Sequence, residues 1–364
     1  MTTYKSTRNG LLGPEFSTKL SAYLVLGSIT ARQIHAALLS FEDGTDDGKW
    51  NDVPGHGKGE NEGMKSVRFE LLWRDYMRLC NRKFGLKLFR LSGFREEAVE
   101  RWRSPDQPRD GFSRENIEEM VERLLNGTTG MGFIDASQRE LFHTGYTSNR
   151  TRQNFASFFA KHLYIDWRIG AEWYECMLVD YDLSSNWGNW QYLAGVGNDP
   201  RGEARIFNPV KQAFDYDPEA EYVKTWIPEL RGLTDPGEVF QAWTIKDQQK
   251  KKDLGLEGLL WVERPLKKID FVAGKPGRPG KGNRGRGGGG GGGGPGGGRG
   301  NYGDGGRGDR GMGRGGGQNR SGGYRGGYGG SSRGHIRGGF GRGRGGGGME
   351  SLPVRERQES GITS

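Results

Sequence analysis

The chain has 364 residues, 67 of them Gly, and a formal net charge of +9, and neither property is spread evenly. Between Gly274 and Gly348 lie 41 of the glycines together with 13 Arg and 2 Lys against Asp304 and Asp309, so this stretch carries +13 and the remainder −4. The sequence has no window of 18 apolar residues and no basic, apolar and small-residue order at its start, and its two Cys and five scattered His have neither disulfide nor metal-ligand spacing. It therefore predicts no membrane span, no signal peptide, no disulfide framework and no structural metal.

The expectation that follows is an intracellular protein without a membrane partner, in the nucleus or cytoplasm, with the mitochondrion as the other compartment. All ten Trp and most apolar side chains fall in residues 1–272, so the packed core is expected there. Near the start, Ser17, Thr18 and Ser21 surround Lys19 ahead of an apolar run. Hydroxyls and backbone N–H groups at a helix start can hold a phosphate, and the same residue types are ordinary helix caps. A polar connection is expected over residues 41–65. In FELLWRDYMRL, Glu70, Trp73 and Arg74 stand at i, i+3 and i+4, and Val67, Leu71, Leu72 and Leu79 are expected on one apolar side. A carboxylate, an indole and a guanidinium on one face can hold a flat heterocycle. An amphipathic surface helix with a Glu–Arg pair has the same spacing.

After Ser113, a plausible N-cap, Ile117, Met120, Val121, Leu124 and Leu125 recur with helical period and Gly127 stops the run. Asn149 and Arg152 share a helical face, and Phe155, Phe158, Phe159 and Leu163 continue the apolar pattern. Asp180 and Asp182 bracket Tyr181 just before Ser184, Ser185 and Asn186. An Arg on one helix and an Asp near another form either a structural ion pair at a helix junction or a buried pair that a polar cofactor completes. A second polar connection is expected over 195–220. Strand-like alternation is scarce, so the fold class is all-α, a domain of many helices over 1–272. From Ala273 the composition becomes Gly, Arg, Ser and Pro with isolated aromatics, too apolar-poor to offset chain entropy of about 1 to 2 kcal/mol per residue, which predicts disorder over 273–348. Arg-Gly-Gly begins at Arg286, Arg314, Arg325, Arg337 and Arg344, with Tyr and Phe interleaved. This is the composition of segments that bind RNA or single strands by charge and stacking, and also of a flexible linker. Residues 349–364 form a polar end.

The blocks FELLWRDY, TGYTSNRTRQN, IDWRIGAEWYE, LVDYDLSSNWGNWQYLAGVGNDPR and RIFNPVKQAFDYDPEAEYVKTWIPEL resemble, in the same order, the FAD-binding helical domain of the cryptochrome and DNA photolyase family. The likeness is strongest to the cryptochrome DASH branch and covers about residues 4 to 245. The resemblance implies a buried FAD and positions for it. Tyr4, Ser17, Thr18, Lys19, Leu20 and Ser21 match the residues around the FAD phosphates and ribityl chain. Arg152 and Asp180 match the ion pair beside the flavin, Asp182 the carboxylate at the flavin edge and Asn186 the residue facing flavin N5. Glu70 and Trp73 match the acid that bonds a pyrimidine dimer and the indole the dimer packs on. Arg74 matches a cofactor contact; Asn149, Arg150 and Gln212 match neighbouring DNA contacts. Trp190 and Trp167 match the proximal and middle members of an electron-transfer chain.

Departures from the family pattern are equally specific. Leu124 stands where the family's distal Trp belongs, and Trp102 can replace that Trp only if it folds nearby. Tyr192 replaces a second dimer-binding Trp, as in cryptochrome DASH proteins. That implies a preference for single-stranded DNA, which spares the unpairing cost of a few kcal/mol. Asn149 and Gln153 occupy the positions of the paired His of (6-4) photolyases, so that chemistry is not expected. The match begins at the helical domain, so neither the α/β antenna domain nor its folate chromophore is expected in this chain. The activity implied is light-driven repair of cyclobutane pyrimidine dimers. A photoreceptor without repair activity shares the same pocket, and an RNA-binding protein acting through its Arg-Gly-Gly segment is a third reading.

Overall fold

The computed structural model describes residues 1–96, 100–199 and 206–271. The Gly/Arg segment 273–348 and the polar end 349–364 lie outside the described residues. The expected fold class is found: the described residues are helical, and their only β pairing consists of isolated bridges, Arg103 with Ile165 and Ser104 with Gln107. None of these helices is long and apolar enough to cross a membrane.

Three short N-terminal helices, α1 (Tyr4–Thr7), α2 (Ser21–Leu26) and α3 (Ala31–Asp43), precede the long α4 (Glu62–Phe84). Local chemistry sets their limits. Thr30 and Gln33 exchange hydrogen bonds as a capping box at the start of α3, and Gly44 ends it in the left-handed conformation. The Asn61 side chain accepts from the Gly63 and Met64 N–H groups to open α4. Ile34, Leu38, Met64 and Val67 bury a small core between these helices.

The buried stripe of α4 runs through Gly63, Met64, Val67, Met77 and Cys80, which corrects the expected apolar side. Leu72 and Leu79 are 66% and 63% exposed and sit with Phe69 and Tyr76 on the outer face. The reason is that α4 is packed by α1 and α3 and by a later helix, and those neighbours select the Val67 face.

The main core is built by α5 (Arg114–Leu125), α6 (Gly132–Thr144), α7 (Asn149–Ser157), α8 (Trp167–Met177) and α9 (Leu183–Ala194). Ser113 and Asn116 form the capping box of α5, and Ile117 and Leu124 are fully buried, as the period predicts. Past Ser157, α7 runs into a π turn, Phe158–His162, which keeps Phe158 and Phe159 both at 0% exposure. Each such side chain contributes about 1.5–3 kcal/mol by leaving water. The expected connection 195–220 contains a further helix, α10 (Pro209–Tyr216). Asn208 caps it and Pro209 fills its first turn, where a missing N–H costs nothing. Helices α11 (Glu221–Trp226), α12 (Pro236–Phe240), α13 (Gln248–Asp253) and α14 (Leu260–Glu263) close a second core around Tyr222, Val223, Phe240 and Val262.

Helices α8 and α9 approach closely at Gly170, where a Cβ would lie 2.2 Å from Trp190 Cη2. Gly170→Ala is expected to force Trp190 aside and destabilise the chain by about 1–3 kcal/mol, an overpacking cost. Urea denaturation followed by circular dichroism measures this, and an unchanged midpoint would remove Gly170 as the reason the two helices can meet.

Candidate functional site

Two adjoining cavities of about 270 and 350 Å³ open between the N-terminal helices, α4 and α9. Both are lined by Arg8, Glu70, Trp73, Asn149, Arg152, Asp180, Asp182, Ser185 and Asn189, so they form one continuous space, sized for a cofactor.

The first cavity gathers Tyr4, Ser17, Thr18, Lys19, Leu20, Ser21 and Arg74. Leu20, not a Ser or Thr, stands at the N-cap of α2 and makes no side-chain cap. The capping reading of Ser17 and Thr18 therefore fails, and no hydrogen bond among the described residues uses their hydroxyls. Lys19 takes a left-handed backbone, φ +53°, and its ammonium lies between the Phe16 and Tyr146 rings at 3.9 and 3.8 Å. Burial lowers its pKa, so it is a cation short of solvent and suited to an anionic ligand. In the same cavity, Arg152 Nη2 donates to Asp180 Oδ2 at 3.0 Å and Nε donates to the Thr147 carbonyl at 2.8 Å. Asp180 is buried, and its second oxygen has no partner among the described residues; nor has Arg74 Nε. Buried polar atoms are normally paired, so these orphaned atoms on a cavity wall fit a polar cofactor completing them.

In the second cavity, Asn186 donates its amide to the Ala171 carbonyl at 2.9 Å, which fixes the side chain at the cavity wall. Asp182 caps α9 through the Ser185 N–H and accepts from Arg78 at 2.9 Å. Burial would raise its pKa, but these donors outweigh burial and hold it below the ordinary carboxylate value. Trp190 lines the cavity and is packed edge-on by Phe155, Phe159 and Tyr174.

Glu70 and Trp73 project from α4 into both cavities. Trp73 stacks on Phe69 and meets Tyr192 edge to face at 5.7 Å. Glu70 pairs with Arg8 at 2.5 Å; burial raises the Glu70 pKa and Arg8 opposes the rise. Sequence reasoning missed Arg8. Its spacing of four from Tyr4 on α1 was the available signal, but its partner lies on a distant segment.

The structure does not bring every expected residue to the cavities. Arg150 is instead tied to Asn9 at 2.8 Å and lies over the Tyr216 ring, and Gln212 reaches Asn154. Neither lines the cavities. Trp167 is at 0% exposure in the core, off the cavity wall, and donates to the Leu91 carbonyl. It meets Trp187 edge to face at 5.9 Å, and Trp187 donates to Glu175 at 2.8 Å. Trp102 is buried and donates to the Ala160 carbonyl at 3.0 Å, and the next residue, Arg103, exchanges backbone hydrogen bonds with Tyr164 and Asp166. Among the described residues no group of His, Cys, Asp or Glu could hold a metal.

Residues 67–260 match a family model described as the FAD binding domain of DNA photolyase. A Neurospora crassa protein named for cryptochrome DASH and for the mitochondrion is 59% identical over 283 residues, 74% of this chain and 38% of the relative. A solved Synechocystis cryptochrome superimposes with TM-score 0.60 at 39% identity, over 70% of this chain and 47% of its own. A bacterial class III photolyase from Agrobacterium tumefaciens gives 0.58 at 27% identity, over 73% and 49%. The chain thus spans about two fifths of the length of the curated relatives it matches.

Proposed function

This chain belongs to the cryptochrome and DNA photolyase family, and from that membership we propose that it repairs cyclobutane pyrimidine dimers by light, preferably in single-stranded DNA. The observation that carries the reading is that one cavity gathers both sets of residues: Arg152, Asp180 and Asn186 line it together with Glu70 and Trp73. FAD bound there would lend the dimer a light-driven electron that splits its ring and then returns.

The residues of the chain would do the rest. Ser17, Thr18, Lys19 and Ser21 would hold the phosphates and ribityl chain. Arg152 and Asp180 would grip the ring system, with Asn186 fixed by the Ala171 carbonyl beside it. Trp73 would give the dimer an aromatic surface, and Glu70 would stabilise the charge that develops on it. Tyr192 in edge contact with Trp73 leaves less stacking surface than a second indole, which supports the preference for a strand already unpaired. Trp190 and Trp167 would carry electrons toward the cavity.

The test is to illuminate the reduced, FAD-loaded chain with oligonucleotides holding one dimer, single-stranded in one sample and duplex in the other. Loss of dimers, faster in the single strand, is expected. Flavin photochemistry with no loss of dimers in either sample would turn the reading to light sensing without repair.

The Arg-Gly-Gly segment is proposed to add a second contact to RNA or single strands. Deleting Gly274–Gly348 is expected to leave the flavin spectrum unchanged while weakening single-strand binding. The dependence of log affinity on log salt should flatten by about 0.7 for each phosphate that the segment no longer neutralises. Equal affinity and equal salt dependence after the deletion would return the segment to a linker.

A further inference from the structure

A third groove, of about 730 Å³, shares no lining residue with the cavities above. It lies between α5, the chain just after the π turn, and the segment that follows α14. Arg103 forms its floor at 7% exposure. The guanidinium donates through Nη2 to Asp110 at 3.1 Å and lies 4.2 Å over the Phe112 ring, while Nε has no partner among the described residues. A buried guanidinium N–H left unpaired is costly and is relieved by an anion.

The acids in the groove are already spent. Asp110 is paired with Arg103, and Glu119 with Arg123. Arg123 is itself used up on the Thr128 and Arg264 carbonyls. Arg264 and Lys267 remain at the rim, both exposed and with no ion pair from either side chain among the described residues. The groove therefore has surplus positive charge and one buried, unanswered donor. Phe112 and Tyr164 add rings at the edge, 38% and 40% exposed. The +13 stretch of the same chain has the wrong sign to fill such a site.

We propose that this groove binds a nucleoside monophosphate, with the phosphate at Arg264, Lys267 and Arg103 Nε and the base on the Phe112 and Tyr164 rings. The volume falls in the range of small-ligand sites. The combination of an enclosed donor with rim rings favours a short ligand bearing both a terminal anion and a flat ring over either alone.

The experiment is calorimetric titration of the full-length, FAD-saturated chain with AMP, adenosine and inorganic phosphate, so that the flavin cavity is already filled. AMP is expected to bind at least about tenfold more tightly than the other two. Lys267→Gln and Arg264→Gln, both at exposed positions, should each weaken it by about tenfold with the flavin spectrum unchanged. Arg103→Gln should weaken it further; because that residue is buried, the two rim variants decide the matter if it fails to fold. Absence of AMP binding, or AMP binding undiminished in both rim variants, would overturn the proposal. Tighter binding of a 5′-phosphorylated oligonucleotide than of AMP, abolished in the same variants, would also overturn it and give the groove to a nucleic-acid strand.

Discussion

Asp180→Ala is expected to give a chain that folds but purifies without flavin. The Asp180 side chain is 5% exposed and its only described ion pair is with Arg152, at 3.0 Å. Removing the carboxylate leaves the guanidinium on the wall of a cavity without its counter-charge, and breaking such a pair costs about 3–5 kcal/mol. At about 1.4 kcal/mol per factor of ten, that cost corresponds to at most roughly two to three and a half orders of magnitude in cofactor affinity. The global fold should survive because Arg152 keeps its bond to the Thr147 carbonyl and the main core does not include the pair. Flavin absorbance after gel filtration, read beside a circular dichroism spectrum, measures both. Wild-type flavin content in the variant would remove the pair from the cofactor site and return it to a helix-junction role.

Trp190→Phe is expected to separate binding from electron flow. The indole lines the second cavity and is closely packed by Phe155, Phe159 and Tyr174 at 5.3–6.0 Å between ring centres. Phe preserves most of that packing and removes the more easily oxidised ring, so FAD should stay bound. Light-driven reduction of the bound flavin should slow by at least an order of magnitude, about 1.4 kcal/mol of barrier. Absorbance under steady illumination with an external reductant reads the rate. A wild-type rate would place the electron route elsewhere, with Trp187 and Trp102 the next indoles to substitute.

What the sequence revealed and what it concealed follow from the range of the interactions involved. The capping box at Ser113 and the period of Ile117 and Leu124 are local, and the structure contains both. The outward turn of Leu72 and Leu79 was not legible, because which side of α4 is buried depends on α1, α3 and α9 packing against it. The π turn after Ser157 has the same apolar spacing as a continuing α-helix, so pattern alone cannot announce it. At the site, the spacing of Arg152 and Asp180 left a structural pair and a cofactor pair both open, and the signs that favour the second, a shared cavity lining and an orphaned Asp180 oxygen, belong to the folded chain alone. Arg150 and Gln212 came from matching blocks of sequence. Their side chains bond Asn9 and Asn154, in pairings between segments that no short motif encodes.

The central claim is that flavin and a pyrimidine dimer share one cavity. The most direct measurement is a titration, in the dark, of the FAD-loaded chain with a short single strand holding one dimer, followed by the flavin absorption spectrum. The account predicts a saturable spectral shift with the dimer-containing strand, absent with the undamaged strand and abolished in Trp73→Ala. A strand that binds with no change in the flavin spectrum, or equal shifts with damaged and undamaged strands, would contradict it.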